Sequence, residues 1–179
     1  MVNNLQLNPY PEIKTESLLL RRITDKDAIE VFTIRSSSII SEHLDRPLCK
    51  SIDEANQFID KINNSINNNE LYYWGLTLKD FNSIIGTICL WRFNQTKTSA
   101  EIGYELLPQY HGKAYMQQAI EAVINFAFNT LNMTYLFAEV APANIKSIKI
   151  LQKFGFVLKD TSLNQINPKT VIFELESIK

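Results

Sequence analysis

The chain has almost no net charge: 18 lysines and arginines against 19 aspartates and glutamates leave −1 at neutral pH. A general nucleic-acid binder carries a strong basic excess, so that class of partner is disfavoured. Cysteine is scarce, with Cys49 and Cys89 alone among 179 residues. Two lone cysteines exclude a disulfide-stapled secreted scaffold and fit a reducing compartment. Histidine is equally scarce, His43 and His111 being the two. With no Cys/His ligand spacing, no metal site is expected. No apolar run approaches the roughly 18–20 residues that span a membrane. The N-terminus, MVNNLQLNPYPEIK, lacks the basic and apolar regions of a signal peptide. There is no internal repeat, and the tract NNSINNN (Asn63–Asn69) is too short for a domain linker. The expectation is a soluble cytoplasmic protein that binds neither nucleic acid nor membrane.

What is present is apolar patterning. At 45% hydrophobic residues, residues 1–179 read as one globular domain able to bury a core without disulfides or metal. A polar lead with Pro9 and Pro11 precedes a strand at Ser17–Ile23. Thr24, Asp25 and Asp27 then mark a helix start, and that helix runs to about Ser36. Ser51 and Glu54 have capping-box spacing, which predicts a second helix from Ile52 to about Asn67. The Asn-rich tract is expected to be loop or frayed helix end. Leu71–Lys79 and Ile84–Arg92 form an antiparallel hairpin about the turn DFNS, and Ser99–Leu107 is a third strand. Apolar residues at steps of three and four from Met116 to Leu131 specify an amphipathic helix over about 114–131. A strand at Tyr135–Ala141, a helix at Ile145–Phe154 and strands at Phe156–Lys159 and Thr170–Leu175 complete an α/β pattern.

The functional signal lies between Glu101 and Phe156. Alternation puts Glu101, Gly103 and Glu105 on one face of their strand and Ile102, Tyr104 and Leu106 on the other. The strand feeds a loop, HGKAYM (His111–Met116), at the start of a helix. Backbone N–H groups without intrahelical partners, together with the helix dipole, make such a start a phosphate site. Further on stands Asn144-x-x-Ser147-x-x-x-Leu151-x-Lys153-x-Gly155-Phe156, a helix start and a Gly-Phe stop.

These two blocks resemble the GNAT N-acetyltransferase superfamily, most closely the branch that acetylates N-terminal amino groups of ribosomal proteins. The second block matches that pattern throughout. In the first, the stretch from His111 to Ala119 departs twice: Ala114 replaces a usual glycine and Gln118 a usual glutamate. A register on Gln109, Gly112 and Ala114 also satisfies the short loop pattern. Alanine at position 114 costs little if its backbone is helical. The resemblance implies a mixed, mostly antiparallel sheet flanked by helices, and acetyl-CoA as donor. His111, Gly112, Lys113, Ala114, Tyr115 and Met116 would then hold the pyrophosphate. The strand end at Leu106 and Leu107 would take the peptide-like pantetheine arm, and Asn144 and Ser147 would also contact the donor.

Direct attack by an amine on a thioester needs a base, a donor for the developing oxyanion and a proton for the thiolate. By resemblance, Glu101 or Glu139 is the base; Glu105 is a third choice. The competing reading for each is a solvated or salt-bridged strand carboxylate. Ser147 is the proton donor by resemblance, or else an early-helix serine bonding its own backbone. Tyr115 ranks below it. Some serine-specific members use a glutamate beyond the Gly-Phe stop, and the corresponding TSLNQIN has none. A protein N-terminal amine is the favoured acceptor; a small amine (polyamine, amino acid or aminoglycoside) is the alternative, and a non-catalytic CoA-binding module is the third reading. The residues do not specify an oligomeric state, although homodimers are ordinary in that superfamily.

Overall fold

The computed structural model describes residues 9–44, 46–159 and 169–177. Within them the chain runs β1 (Ile13–Lys14), β2 (Leu18–Arg22), α1 (Ala28–Ser36), α2 (Ser38–Ser41), α3 (Ile52–Asn67), β3 (Tyr72–Leu78), β4 (Phe81–Trp91) and β5 (Ser99–Leu106). It continues with α4 (Tyr115–Asn125), β6 (Tyr135–Val140), α5 (Ile145–Lys153), β7 (Val157–Leu158) and β8 (Val171–Glu176). The strands form one eight-stranded sheet in the order β1-β2-β3-β4-β5-β6-β8-β7. Every pairing is antiparallel except β5 with β6. This is the α/β architecture expected, with β1 and the short α2 as additions.

Helices cover both faces, which explains the near-continuous apolar run of β3. Trp74 and Leu76 join Met116, Ile120, Val123 and Leu151 in a core beneath α4 and α5. Tyr73 joins Val31, Ile34, Ile59 and Ile62 in a second core beneath α1 and α3. The N-terminal lead is part of this packing. The Tyr10 hydroxyl accepts from the Tyr73 N–H (2.8 Å) and donates to its carbonyl (3.0 Å), as a neighbouring strand would. Trp74 donates its indole N–H to the Pro11 carbonyl (2.8 Å).

Two local expectations shift. Phe81 already belongs to β4, with register shifts between Leu76 and Leu78, so the turn precedes the expected DFNS. The second helix ends at Asn67 as expected, and Arg22 holds that end, donating to Asn63 Oδ1 (2.6 Å) and Asn67 Oδ1 (2.9 Å). The expected 114–131 helix is α-helical only to Asn125 and continues as a π-helical turn over Phe126–Thr130. That wider turn buries both Phe126 and Ala127. Phe126 packs edge-on against Tyr72 and Trp74, at 5.3 and 5.5 Å between ring centroids. The two cap signals are real. Ser51 Oγ accepts from the Glu54 N–H (3.2 Å), while Glu54 reaches the Lys50 N–H (2.8 Å) instead of the reciprocal Ser51 group. No helix among the described residues is long and apolar enough to cross a membrane.

Asp27 anchors the start of α1. It takes both arms of the Arg21 guanidinium, at 2.9 and 2.7 Å, and the Thr24 N–H at 2.8 Å. Burial pushes its pKa up, but the Arg21 and Thr24 donors outweigh burial and hold it below the usual carboxylate range. Asp27→Ala is expected to cost about 2 kcal/mol in chemical denaturation, because it removes the charged hydrogen bonds to Arg21 and Thr24 while Arg21 keeps only the Asn82 and Arg22 acceptors. With the folded pKa depressed, this contribution is fully present above the unfolded value of about 3.9. It is lost as pH falls through the lower folded value. Denaturation of wild type and variant at neutral and acid pH should therefore show the difference shrinking only at the acid end.

Candidate active site

β5 and β6 pair at Ser99–Tyr135, Ala100–Leu136 and Glu101–Phe137, and there the ladder stops. β5 continues to Leu106 and β6 to Val140 without pairing each other. Past Glu101 the facing edges therefore lack a strand partner, and an extended ligand can add to such an edge.

Where the ladder ends, two carboxylates share one arginine. Arg92 Nη1 lies 2.8 Å from Glu101 Oε2 and 2.8 Å from Glu139 Oε1. Arg92 follows β4 in the left-handed region (φ 50°), its guanidinium 5.6 Å from the Trp91 ring and 5.7 Å from Phe137. Glu101 is only 6% exposed. Burial pushes its pKa up to about 7, against the pull of Arg92 and with a further push from the Glu139 charge. A carboxylate tuned to neutrality is suited to taking a proton from an amine. Glu105, on the same face, is differently placed. Arg46 forks onto both its oxygens at 3.2 Å and also donates to the Arg35 carbonyl (2.9 Å). All three are therefore salt-bridged strand carboxylates, as the competing reading has it, but Glu105 has an arginine to itself. Cys89, on β4, is a free thiol that burial pushes up to about 12, far from a nucleophile's range.

The phosphate loop is built as a turn and a left-handed step. The turn Pro108–Tyr110 follows β5, and His111 lies with Nε2 3.0 Å from the Leu106 carbonyl. A carbonyl only accepts, so that nitrogen donates there. Gly112 has φ +77°, and a Cβ added to it would meet nothing within 4 Å. Its backbone needs glycine, and the space beside it is open. The first intrahelical bond of α4 joins the Gln118 N–H to the Ala114 carbonyl (3.0 Å). The N–H groups of Tyr115, Met116 and Gln117 are thus available to an anion. Ala114 overturns the expectation of a cheap helical alanine: it is left-handed, φ 58° and ψ 8°. That costs an L-residue about 1–2 kcal/mol. Lys113 lies over Tyr110 (5.7 Å) and Tyr115 beside it (6.5 Å). Met116 and Leu107 are buried, in the two separate cores, so both can meet a ligand chiefly through backbone.

Gln118, the second departure, has a structural task. Its Oε1 accepts from Thr15 Oγ1 (2.8 Å) and the Ser17 N–H (2.9 Å), and its Nε2 donates to Ser17 Oγ (3.2 Å). A glutamate could not make the last contact as donor.

Most of the second block is also structural. Leu151 and Phe156 are core residues. Lys153 donates to Gln117, tying α5 to α4. Gly155 (φ +83°) closes α5 with the Phe156 N–H bonded back to the Leu151 carbonyl (3.1 Å), a Schellman ending. Asn144 caps α5 by accepting from the Ser147 N–H (3.1 Å). Ser147 is the exception: its Oγ lies 2.7 Å from the Tyr104 hydroxyl. Arg92 and Tyr104 carry no local signal of a site, since the meeting of Arg92 with Glu139 and of Tyr104 with Ser147 spans more than 40 residues. The TSLNQIN segment lies outside the described residues. Among the described residues no group of three His, Cys, Asp or Glu side chains is placed to hold a metal.

An open strand edge, a helix start suited to an anion and the buried carboxylate of Glu101 thus lie at one end of the sheet. Residues 17–157 match the model of the acetyltransferase (GNAT) domain, and the chain belongs to that family of acetyl-CoA-dependent enzymes. It is 29% identical over 147 residues to the uncharacterized N-acetyltransferase YoaA of Bacillus subtilis, covering 82% of this chain and 83% of that one. A shorter likeness, 28% over 75 residues, covers 42% of this chain and 43% of the spermidine N(1)-acetyltransferase of Vibrio cholerae. Among solved structures, a putative ribosomal-protein-serine acetyltransferase from Vibrio cholerae superposes with a TM-score of 0.82 at 26% identity. It covers 96% of this chain and 100% of its own.

Ala114→Gly removes the left-handed penalty at the loop. A gain of about 1 kcal/mol is expected, read as a rise of roughly 2–4 °C in melting temperature. An unchanged or lower value would contradict it.

Proposed function

We propose that this enzyme moves an acetyl group directly to a primary amine, Glu101 serving as base and Ser147 as acid, with a protein N-terminal amine as the favoured acceptor. The observation that carries the reading is Glu101: a buried carboxylate poised near neutrality where the β5–β6 ladder ends. Acetyl-CoA supplies an activated acetyl thioester. The first-turn N–H groups of α4 and the open space at Gly112 suit its pyrophosphate, and the free edge of β5 suits its pantetheine arm. Lys113 adds a positive charge to the same loop.

Glu101 takes the amine proton, and Arg92 holds it in place. Glu139 shares that arginine and adds its charge to the burial that raises the Glu101 pKa. Ser147 stands at the start of α5, beyond β6, where its hydroxyl can give a proton to the departing sulfur. The N-terminal acceptor is supported by the whole-length likeness to the putative ribosomal-protein-serine acetyltransferase. The partial likeness to the spermidine enzyme supports the small-amine alternative. A thiol-release screen with acetyl-CoA over N-terminal peptides and polyamines decides between them; turnover of polyamines alone would overturn the favoured acceptor.

The base assignment is tested by pH. Activity requires Glu101 deprotonated, so kcat/KM should rise with pH through about 7. Glu101→Gln should abolish that limb and cost about 10²–10⁴ in rate. Glu139→Gln removes a neighbouring negative charge and should move the limb to lower pH, whereas Arg92→Gln should move it higher. Full turnover of Glu101→Gln across the pH range would rule out Glu101 as the base.

A further inference from the structure

Tyr104 stands on β5 three residues past the last β5–β6 pair, on the sheet face opposite Glu101 and Glu105. Ser147 stands in the first turn of α5, just after β6. Their 2.7 Å hydrogen bond therefore joins the β5 side of the site to the β6 side where the backbone ladder no longer does. A serine near the start of a helix commonly spends its hydroxyl on a carbonyl of its own preceding turn. Ser147 instead pairs with a phenol 43 residues away. Burial pushes the Tyr104 pKa up to about 12, so the phenol keeps its proton at neutral pH and can donate. A donating phenol occupies a lone pair of Ser147 Oγ and frees the serine's own hydrogen to point elsewhere.

We propose that Tyr104 is the positioning residue of Ser147: its phenol donates to the serine hydroxyl and aims the serine proton at the departing sulfur. This rests on the reading of Ser147 as the acid. In the step served, a bond forms between the amine nitrogen and the acetyl carbon. The carbon–sulfur bond breaks, its electron pair leaving on sulfur, and the Ser147 proton passes to that sulfur. As that proton leaves, the Tyr104 proton moves along the 2.7 Å hydrogen bond to the serine oxygen, and the phenol regains a proton from solvent. The proton that the amine loses to Glu101 balances it.

The test is a double-mutant cycle on the full chain, read in kcat, in KM for donor and acceptor, and in CoA affinity by calorimetry. Tyr104→Phe, which removes one oxygen, should lower kcat about tenfold and leave both KM values and CoA affinity unchanged. Ser147→Ala should lower kcat further, and adding Tyr104→Phe to it should change nothing more, because the phenol then has nothing to aim. Independent, multiplying effects of the two substitutions would overturn the proposal, as would a loss confined to KM or melting temperature. If Ser147→Ala is slow while Tyr104→Phe turns over as wild type, the positioning role alone fails. Wild-type turnover of Ser147→Ala would overturn both that role and the acid assignment beneath it.

Discussion

Three residue pairs hold β5 to β6, from Ser99–Tyr135 to Glu101–Phe137, and the site depends on the place where they stop. A fourth or fifth pair would occupy the edge groups of Ile102–Leu106 that can receive an extended ligand. Both strands are nevertheless rigid beyond that point. β5 stays paired with β4 through Leu106, and β6 with β8 through Val140. The interruption is thus a gap between two well-supported strands, and the residues at its lip are fixed in position. Such support is what a reactive constellation requires, since misplacing a catalytic group by about 1 Å can cost a hundredfold in rate.

The charges at the lip follow from that geometry. Two carboxylates, Glu101 buried and Glu139 half-buried, meet one guanidinium that still reaches solvent. Removing a carboxylate from water costs several kcal/mol, and a shared partner cannot repay that for both. Glu101, the more buried of the two, absorbs the shortfall as a raised pKa. Glu105 shows the contrast on the same strand and face. With a bidentate arginine to itself, it becomes part of the scaffold that holds the α1–α3 side against β5. Residue type and strand face are identical, and the partner count separates the two.

The family-like motif divides in the same way. Leu151, Lys153, Gly155 and Phe156 make the matching block recognisable, yet each does packing or capping work. They deliver α5 at a set angle behind β6, which places Ser147 against Tyr104. Gln118, which first read as a departure in the donor loop, belongs to the seam between α4 and the β1–β2 turn. Ala114 is a true departure, because the loop geometry is kept at the expense of a strained backbone.

The sequence by itself determined the elements and the order in which they occur. Period-2 and period-3.6 patterns, caps at Ser51 and Asn144 and a stop at Gly155 are local signals, legible because they act over a few residues. The helix-start loop and the face shared by Glu101 and Glu105 were legible for the same reason. Local pattern missed the π turn after Asn125, where Phe126 packs against Trp74 and Tyr72. It also missed the conformation of Ala114, which belongs to the loop as a whole. The tertiary structure alone decided which carboxylate is buried and shares its arginine, and what Ser147 touches. Arg92 meets Glu139 across 47 residues and Tyr104 meets Ser147 across 43. Desolvation and charge pairing depend on such through-space distances, to which spacing along the chain is blind.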